Sequence, residues 1–216
     1  MRENTIQKIR ETKIIAIVRG MEEKFILPLA EALAAGGISL MEITFNQAKP
    51  ETFEATMRNI TAVNEKLGDK LTCGAGTVIS PEQVVLADKA GAAFIVSPNV
   101  DVDVIRRTRE LGLVSLPGAM TASECLSAHY AGADFIKLFP AADLGTGYLK
   151  AIRAPLSHLK FLAVGGINEN NAQDFIKAGA LGLGIGGNLV NKDWIAAGEF
   201  NKITDLAHIL VKAVNQ

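Results

Sequence analysis

The chain has 216 residues, of which 49% are apolar and 21% charged, and its net charge is −1. That length suits one large core, and so even a charge balance argues against nucleic acid or an anionic membrane as a partner. No apolar run approaches the ~18 to 20 residues of a membrane span, and the charged start MRENTIQKIRETK lacks the apolar centre of a signal peptide. The two cysteines, Cys73 and Cys125, imply no disulfide framework. The expectation is a soluble cytoplasmic α/β protein forming a single domain over 1–216.

The first dozen residues read as an extra helix. After them, short apolar runs recur at 13–20, 39–45, 71–78, 93–98, 113–118, 134–140, 161–167 and 182–187. Each is apolar on both faces, the pattern of parallel strands covered by helices. Helix signals fill the gaps. EEKFILPLAEALAAGG has helical spacing and ends in glycines. Ser80 followed by Pro81 is a cap with proline at the first helical position. Thr121 with Glu124 has the spacing of a capping box, and Asn168 is a further candidate cap. Eight strand–helix units of roughly 20 to 30 residues predict a (β/α)₈ barrel whose N-terminal helix closes the bottom. A doubly wound open sheet is the alternative.

In such a barrel the chemistry sits at the C-terminal ends of the strands. Taken in order, those ends carry Arg19, Glu42 with Thr44 and Asn46, Thr77, Pro98 with Asn99, Pro117 with Gly118, Lys137, Gly165 with Gly166, and Gly187 with Asn188. Alternation along DFIKLFP puts Phe135, Lys137 and Phe139 on one face, so that Lys137 points to the barrel axis when Ile136 and Leu138 pack on helices. Glu42 is aimed inward by the same rule.

A lysine held there loses hydration, which favours its neutral form. A neutral amine attacks a ketone to give a Schiff base, and Glu42 within reach could carry the protons. The plainer alternative is a structural ion pair between the two. AVGGIN and GIGGN follow the last two strands, where barrels of this type hold phosphate on backbone amides. Glycines there also serve tight turns. Arg19 could face the same anion, a substrate carboxylate or a rim carboxylate.

Taken together, IVRG, GGISLMEITF, CGAGTV, FIVSPN, LPGAMTASE, FIKLFPA, AVGGIN and GIGGNLV resemble one family over essentially the whole chain. It is that of the 2-keto-3-deoxy-6-phosphogluconate (KDPG) and 4-hydroxy-2-oxoglutarate (KHG) aldolases, class I enzymes that form pyruvate. The resemblance implies a (β/α)₈ barrel, a homotrimer and a phosphorylated 2-keto acid as substrate. It makes Lys137 the Schiff-base lysine and Glu42 the general acid/base. Arg19, Thr77, Pro98 and Val164 become substrate-binding residues, and Gly165, Gly166, Gly187 and Asn188 a phosphate cradle.

Three departures bear on the substrate. Asn46 stands where some members place a carboxylate-holding arginine, which leaves Arg19, Thr77 or backbone amides for that task. Val164 stands where gluconate-type members have threonine, as in the branch acting on the epimer 2-keto-3-deoxy-6-phosphogalactonate. Asn188 stands at or beside a phosphate-binding serine, and its amide can still donate. The expected substrates are KDPG and KHG with relaxed stereochemical control, the galactonate epimer being the alternative. A non-catalytic phosphosugar-binding barrel would have no use for an axial Lys–Glu pair. A ribulose-phosphate type of decarboxylase would need charges on the third strand, and LTCGAGT has none. Metal-dependent aldol chemistry would need convergent histidines, whereas His129, His158 and His208 lie away from strand ends. No metal and no organic cofactor are expected.

Overall fold

The computed structural model describes residues 2–216. Its nine parallel strand segments are β1 (Ile14–Val18), β2 (Leu40–Thr44), β3 (Thr72–Gly76), β4 (Phe94–Val96), β5 (Val114–Leu116), β6 (Gly118–Ala119), β7 (Ile136–Leu138), β8 (Phe161–Val164) and β9 (Gly182–Ile185). The sheet order β5-β4-β3-β2-β1-β9-β8-β7-β6 starts and ends on two segments separated only by Pro117. β5 and β6 are therefore halves of one strand, and the sheet closes into a barrel. Proline has no N–H and cannot donate to a ladder. Its carbonyl still serves the next strand, accepting from Lys137 N at 2.9 Å, while Leu116 O accepts from Ser97 N on the other side at 3.2 Å. The eight predicted strands are all present, shorter than expected and with the fifth one split.

α1 (Arg2–Thr12) precedes the barrel. α2 (Glu23–Ala35), α3 (Phe53–Leu67), α4 (Pro81–Lys89), α5 (Val102–Glu110), α6 (Ala122–Ala131), α7 (Ala141–Arg153) and α8 (Ala172–Lys177) each follow a strand, and α9 (Lys192–Ala196) and α10 (Phe200–Val214) follow β9. Ser80 accepts from Gln83 N at the start of α4, and Thr121 with Glu124 forms a complete capping box on α6. Asn168 is not the cap of α8. Its side chain accepts from Asn170 N at 2.9 Å in a turn of its own, so the helix begins only at Ala172. An Asx turn competes with helix initiation here.

Two cores result from the period of two in the strands. Ile14, Ala16, Val18, Met41 and Ile43 face outward onto the helices. Ile15, Ile17, Leu40, Phe94, Val96, Val114, Leu116, Phe135, Leu162 and Val164 fill the barrel, and Ile6 and Ile9 of α1 close it from below. Each of these two isoleucines stabilises the plug by about 1.5–3 kcal/mol. Asp134 locks the same end: it accepts from Ser115 N at 3.0 Å and Arg109 Nη1 at 3.1 Å, and pairs with Arg2. No helix among the described residues is long and apolar enough to cross a membrane.

Toward the C-terminal ends the interior changes from branched aliphatics to Glu42, Thr44 and Lys137, all buried. Inward-facing glycines supply their space. A Cβ at Gly74 would lie 2.4 Å from the Phe94 ring, and one at Gly184 would lie 2.8 Å from Val164 Cγ2. A Cβ at Gly76 would lie 2.4 Å from Glu42 Oε1. The glycines of CGAG therefore leave room for an acid inside the barrel.

Candidate active site

Of the buried polar layer, Glu42 and Thr44 are buried in β2, and Lys137 lines a cavity of about 660 Å³ at the C-terminal mouth. Lys137 reaches it from β7, in register with Gly118 of β6 and Leu162 of β8. Glu42 lies in β2, opposite Ile17 of β1 and Gly74 of β3. They are only 6% and 2% exposed. Among the described residues, no hydrogen bond or ion pair within 4.0 Å joins them. The Lys137 amine instead stands 4.9 Å from the centre of the Phe139 ring.

Burial pushes the Glu42 carboxyl above the ordinary carboxylate range, and the charges of Lys137 and Arg19 pull it only partly back. Burial also holds the Lys137 amine below the ordinary lysine value; Glu42 opposes that shift and Arg19 adds to it. Both groups are displaced toward their neutral forms for the same reason, the loss of water. An amine in its neutral form attacks carbonyls, and a carboxyl whose neutral form is favoured can give as well as take protons.

Arg19 and Thr77 form one wall. Arg19 Nη1 donates to Thr77 Oγ1 at 3.3 Å. Thr77 has φ +56°, an uncommon conformation for a β-branched residue. Pro98 lines the cavity as well, packed so closely on the next strand that a Cβ at Gly118 would lie 2.4 Å from its carbonyl oxygen. Asn46 is exposed and does not line the cavity; its side chain accepts from Ala48 N at 3.1 Å.

Val164, Gly165, Gly166, Gly187 and Asn188 line the opposite side. Gly165 and Gly166 are required by the backbone, with φ of +95° and +72°, and Gly166 has no room for a Cβ beside Ala142. Gly187 is different. It has no positive φ, and nothing lies within 4 Å of where its Cβ would be, so its missing side chain leaves open cavity and a bare amide. Asn188 Nδ2 is already engaged with Glu169 Oε2 at 2.7 Å.

Strand-end reading missed three residues here. Lys192, at the start of α9, lines the cavity and makes no ion pair among the described residues. Its amine lies 3.6 Å from where a Cβ on Gly20 would be, an ordinary contact distance that places it beside the turn after β1. Gln47 and Gln83 stand behind Thr77. Cys73 and Cys125 are buried thiols, and burial pushes Cys125 up to about 11. Trp194 packs on the outer core. Among the described residues no three His, Cys, Asp or Glu side chains gather as a metal-binding group.

A parallel barrel with a dry lysine and a dry carboxyl beneath an open mouth is the architecture of a class I, imine-forming lyase. The chain belongs to the KDPG and KHG aldolase family, whose model matches residues 5–206. It is 38% identical over 177 residues to the 2-dehydro-3-deoxy-6-phosphogalactonate aldolase of Escherichia coli, covering 82% of this chain and 83% of that one. It is 35% identical over 170 residues to the 2-dehydro-3-deoxy-phosphogluconate aldolase of Pseudomonas aeruginosa, covering 77% and 73%. A solved KDPG aldolase from Legionella pneumophila, with pyruvate captured as a covalent carbinolamine, superposes with a TM-score of 0.84 at 29% identity, covering 94% and 95% of the two chains. These relatives are aldolases, and hence lyases.

Proposed function

We propose that this chain cleaves KDPG to pyruvate and glyceraldehyde 3-phosphate, and KHG to pyruvate and glyoxylate, through an imine on Lys137 and without metal or organic cofactor. The observation that carries the reading is the Lys137 amine, buried, unpaired and at the cavity floor beside the buried Glu42.

The neutral Lys137 amine adds to the ketone carbon, and Glu42 supplies the proton that lets water leave the carbinolamine. The resulting iminium withdraws electrons. The Glu42 carboxylate, having given up its proton, takes the proton of the hydroxyl on carbon 4. The bond between carbons 3 and 4 breaks, its electrons passing to the iminium to leave an enamine as the aldehyde is released. Glu42 returns a proton to carbon 3, and water hydrolyses the pyruvyl iminium to free pyruvate and Lys137. Arg19 and the Thr77 hydroxyl face the carboxylate, which fits their mutual hydrogen bond and the distance of Asn46 from the cavity.

The phosphate lies against the amides of Gly165, Gly166 and Gly187, with Pro98 and Val164 on the walls between. Asn188 contributes its backbone, since its side-chain amide is held by Glu169. Lys192 supplies the positive charge at that end. The working form is a cytoplasmic homotrimer of chains that each act as one barrel over 1–216.

The galactonate epimer is the second reading, supported by the Escherichia coli relative and by Val164, which puts methyls where a hydroxyl would select an epimer. Incubation with pyruvate and borohydride, followed by mass mapping, is expected to place a reduced pyruvyl group on Lys137. No adduct there rejects the imine mechanism. Cleavage rates for the two epimers, compared before and after Val164→Thr, decide between the substrates. A ratio moving toward the gluconate epimer supports the hydroxyl argument, and an unchanged ratio removes it.

A further inference from the structure

Thr77 holds a backbone conformation that costs a β-branched residue free energy, so something outside it must maintain that geometry. The side chains doing so come from two other segments. Gln47, just beyond β2, donates from Nε2 to Thr77 O at 2.6 Å. Gln83, in the first turn of α4, accepts from Ile79 N at 2.8 Å. The two amides also bond to each other in both directions, Gln83 Nε2 to Gln47 Oε1 at 2.8 Å and Gln47 Nε2 to Gln83 Oε1 at 3.3 Å. Gln83 is buried, and its own backbone is fixed by the Ser80 cap. The loop from Thr77 to Ile79 is thus held at its carbonyl and at its amide by one ring of paired glutamines. On the cavity side the Thr77 hydroxyl meets Arg19.

We propose that Gln47 and Gln83 are positioning residues that hold the Thr77 hydroxyl toward the carboxylate end of the cavity. The inference rests on the functional reading above. The pair touches no substrate and acts through Thr77. The keto acid end is common to every substrate of this reaction, so the effect is predicted for pyruvate itself.

Borohydride trapping on Lys137, followed against pyruvate concentration by intact mass, separates binding from chemistry. Gln47→Leu is expected to raise the half-saturating pyruvate about tenfold, the equivalent of one hydrogen bond at about 1.4 kcal/mol, while the trapping rate at saturation stays within about twofold. In a Thr77→Ala background the same substitution is expected to change half-saturation by less than twofold, because a pair acting through that hydroxyl has nothing left to position. Gln47→Ala and Gln83→Met are carried through the same comparison, with melting curves to confirm folding. Equal effects of Gln47→Leu in both backgrounds overturn the proposal, as does no effect in either. A wild-type protein that forms no adduct with pyruvate overturns the functional reading instead, and this inference with it.

Discussion

Gly76→Ala probes the position of Glu42 without touching its chemistry. A Cβ at Gly76 lies 2.4 Å from Glu42 Oε1 and 2.9 Å from both Glu42 Cδ and Thr44 Cγ2. Ordinary van der Waals contact begins at 3.4 Å, so the carboxyl must retreat by about 1.0 Å, the difference between the first figure and that limit. It retreats within a packed interior, because Glu42 is 2% exposed. Overpacking of this size costs about 1–3 kcal/mol of stability, less than the roughly 5–15 kcal/mol of a typical domain, so the variant should fold. A displacement of about 1 Å in a reacting group lowers rate on the order of 10²-fold. Turnover is measured by coupling pyruvate release to NADH oxidation through lactate dehydrogenase. Gly147→Ala is the control, since nothing lies within 4 Å of its added Cβ, and it should retain activity within about twofold. A folded Gly76→Ala protein with turnover within about threefold of wild type would refute the claim that Glu42 works from this one position.

Lys192→Met should raise KM for the phosphorylated substrate by about ten- to a hundredfold, the loss of one charge-assisted contact of about 1.5–3 kcal/mol, and leave KM for 4-hydroxy-2-oxoglutarate within about twofold. A parallel rise for both substrates in steady-state assays would show that Lys192 does not read the phosphate. Lys137→Met should raise the melting temperature, most of all at low pH. The folded amine is held below the ordinary lysine value of 10.5, so the unfolded chain binds more protons and wild-type stability rises with pH toward that value. The variant lacks this rise, and its advantage should therefore shrink as pH rises toward 10.5. Melting curves in which the advantage grows over that range would contradict a desolvated amine.

The barrel and most of the cavity were legible because two simple periods govern them. Inward residues recur every second position in a strand, and every parallel strand delivers its last inward residue to the same mouth. Hence Arg19, Thr77, Pro98, Lys137 and the glycine pairs are readable one strand end at a time, Val164 enters through the family resemblance, and all line one cavity. Glu42 was found by the same rule and lies buried in β2, within electrostatic reach of Lys137. The split at Pro117 was not foreseen, because a strand that loses a single donor reads as continuous in sequence. Asn168 reads as a helix cap in sequence because Asx turns and caps use the same side chains; which one forms depends on the residues that follow.

Gln47, Gln83 and Lys192 escaped for a different reason: none is a strand position, Gln47 lying in the loop after β2 and Gln83 and Lys192 in the first turns of α4 and α9. The TFNQ loop shows what this implies. At position 46 the asparagine side chain is spent on the loop itself, accepting from Ala48 N. The neighbouring Gln47 then reaches across to the Thr77 carbonyl, and on the far side of Thr77 its hydroxyl meets Arg19 from β1. The loop after β2 thus reaches the wall formed by Arg19 and Thr77 through Gln47 and not through position 46. This meeting of segments follows from the strand pairing, which brings the ends of β1, β2 and β3 side by side. A substitution at position 46 therefore says little about carboxylate binding until Thr77, Gln47 and Arg19 are considered with it.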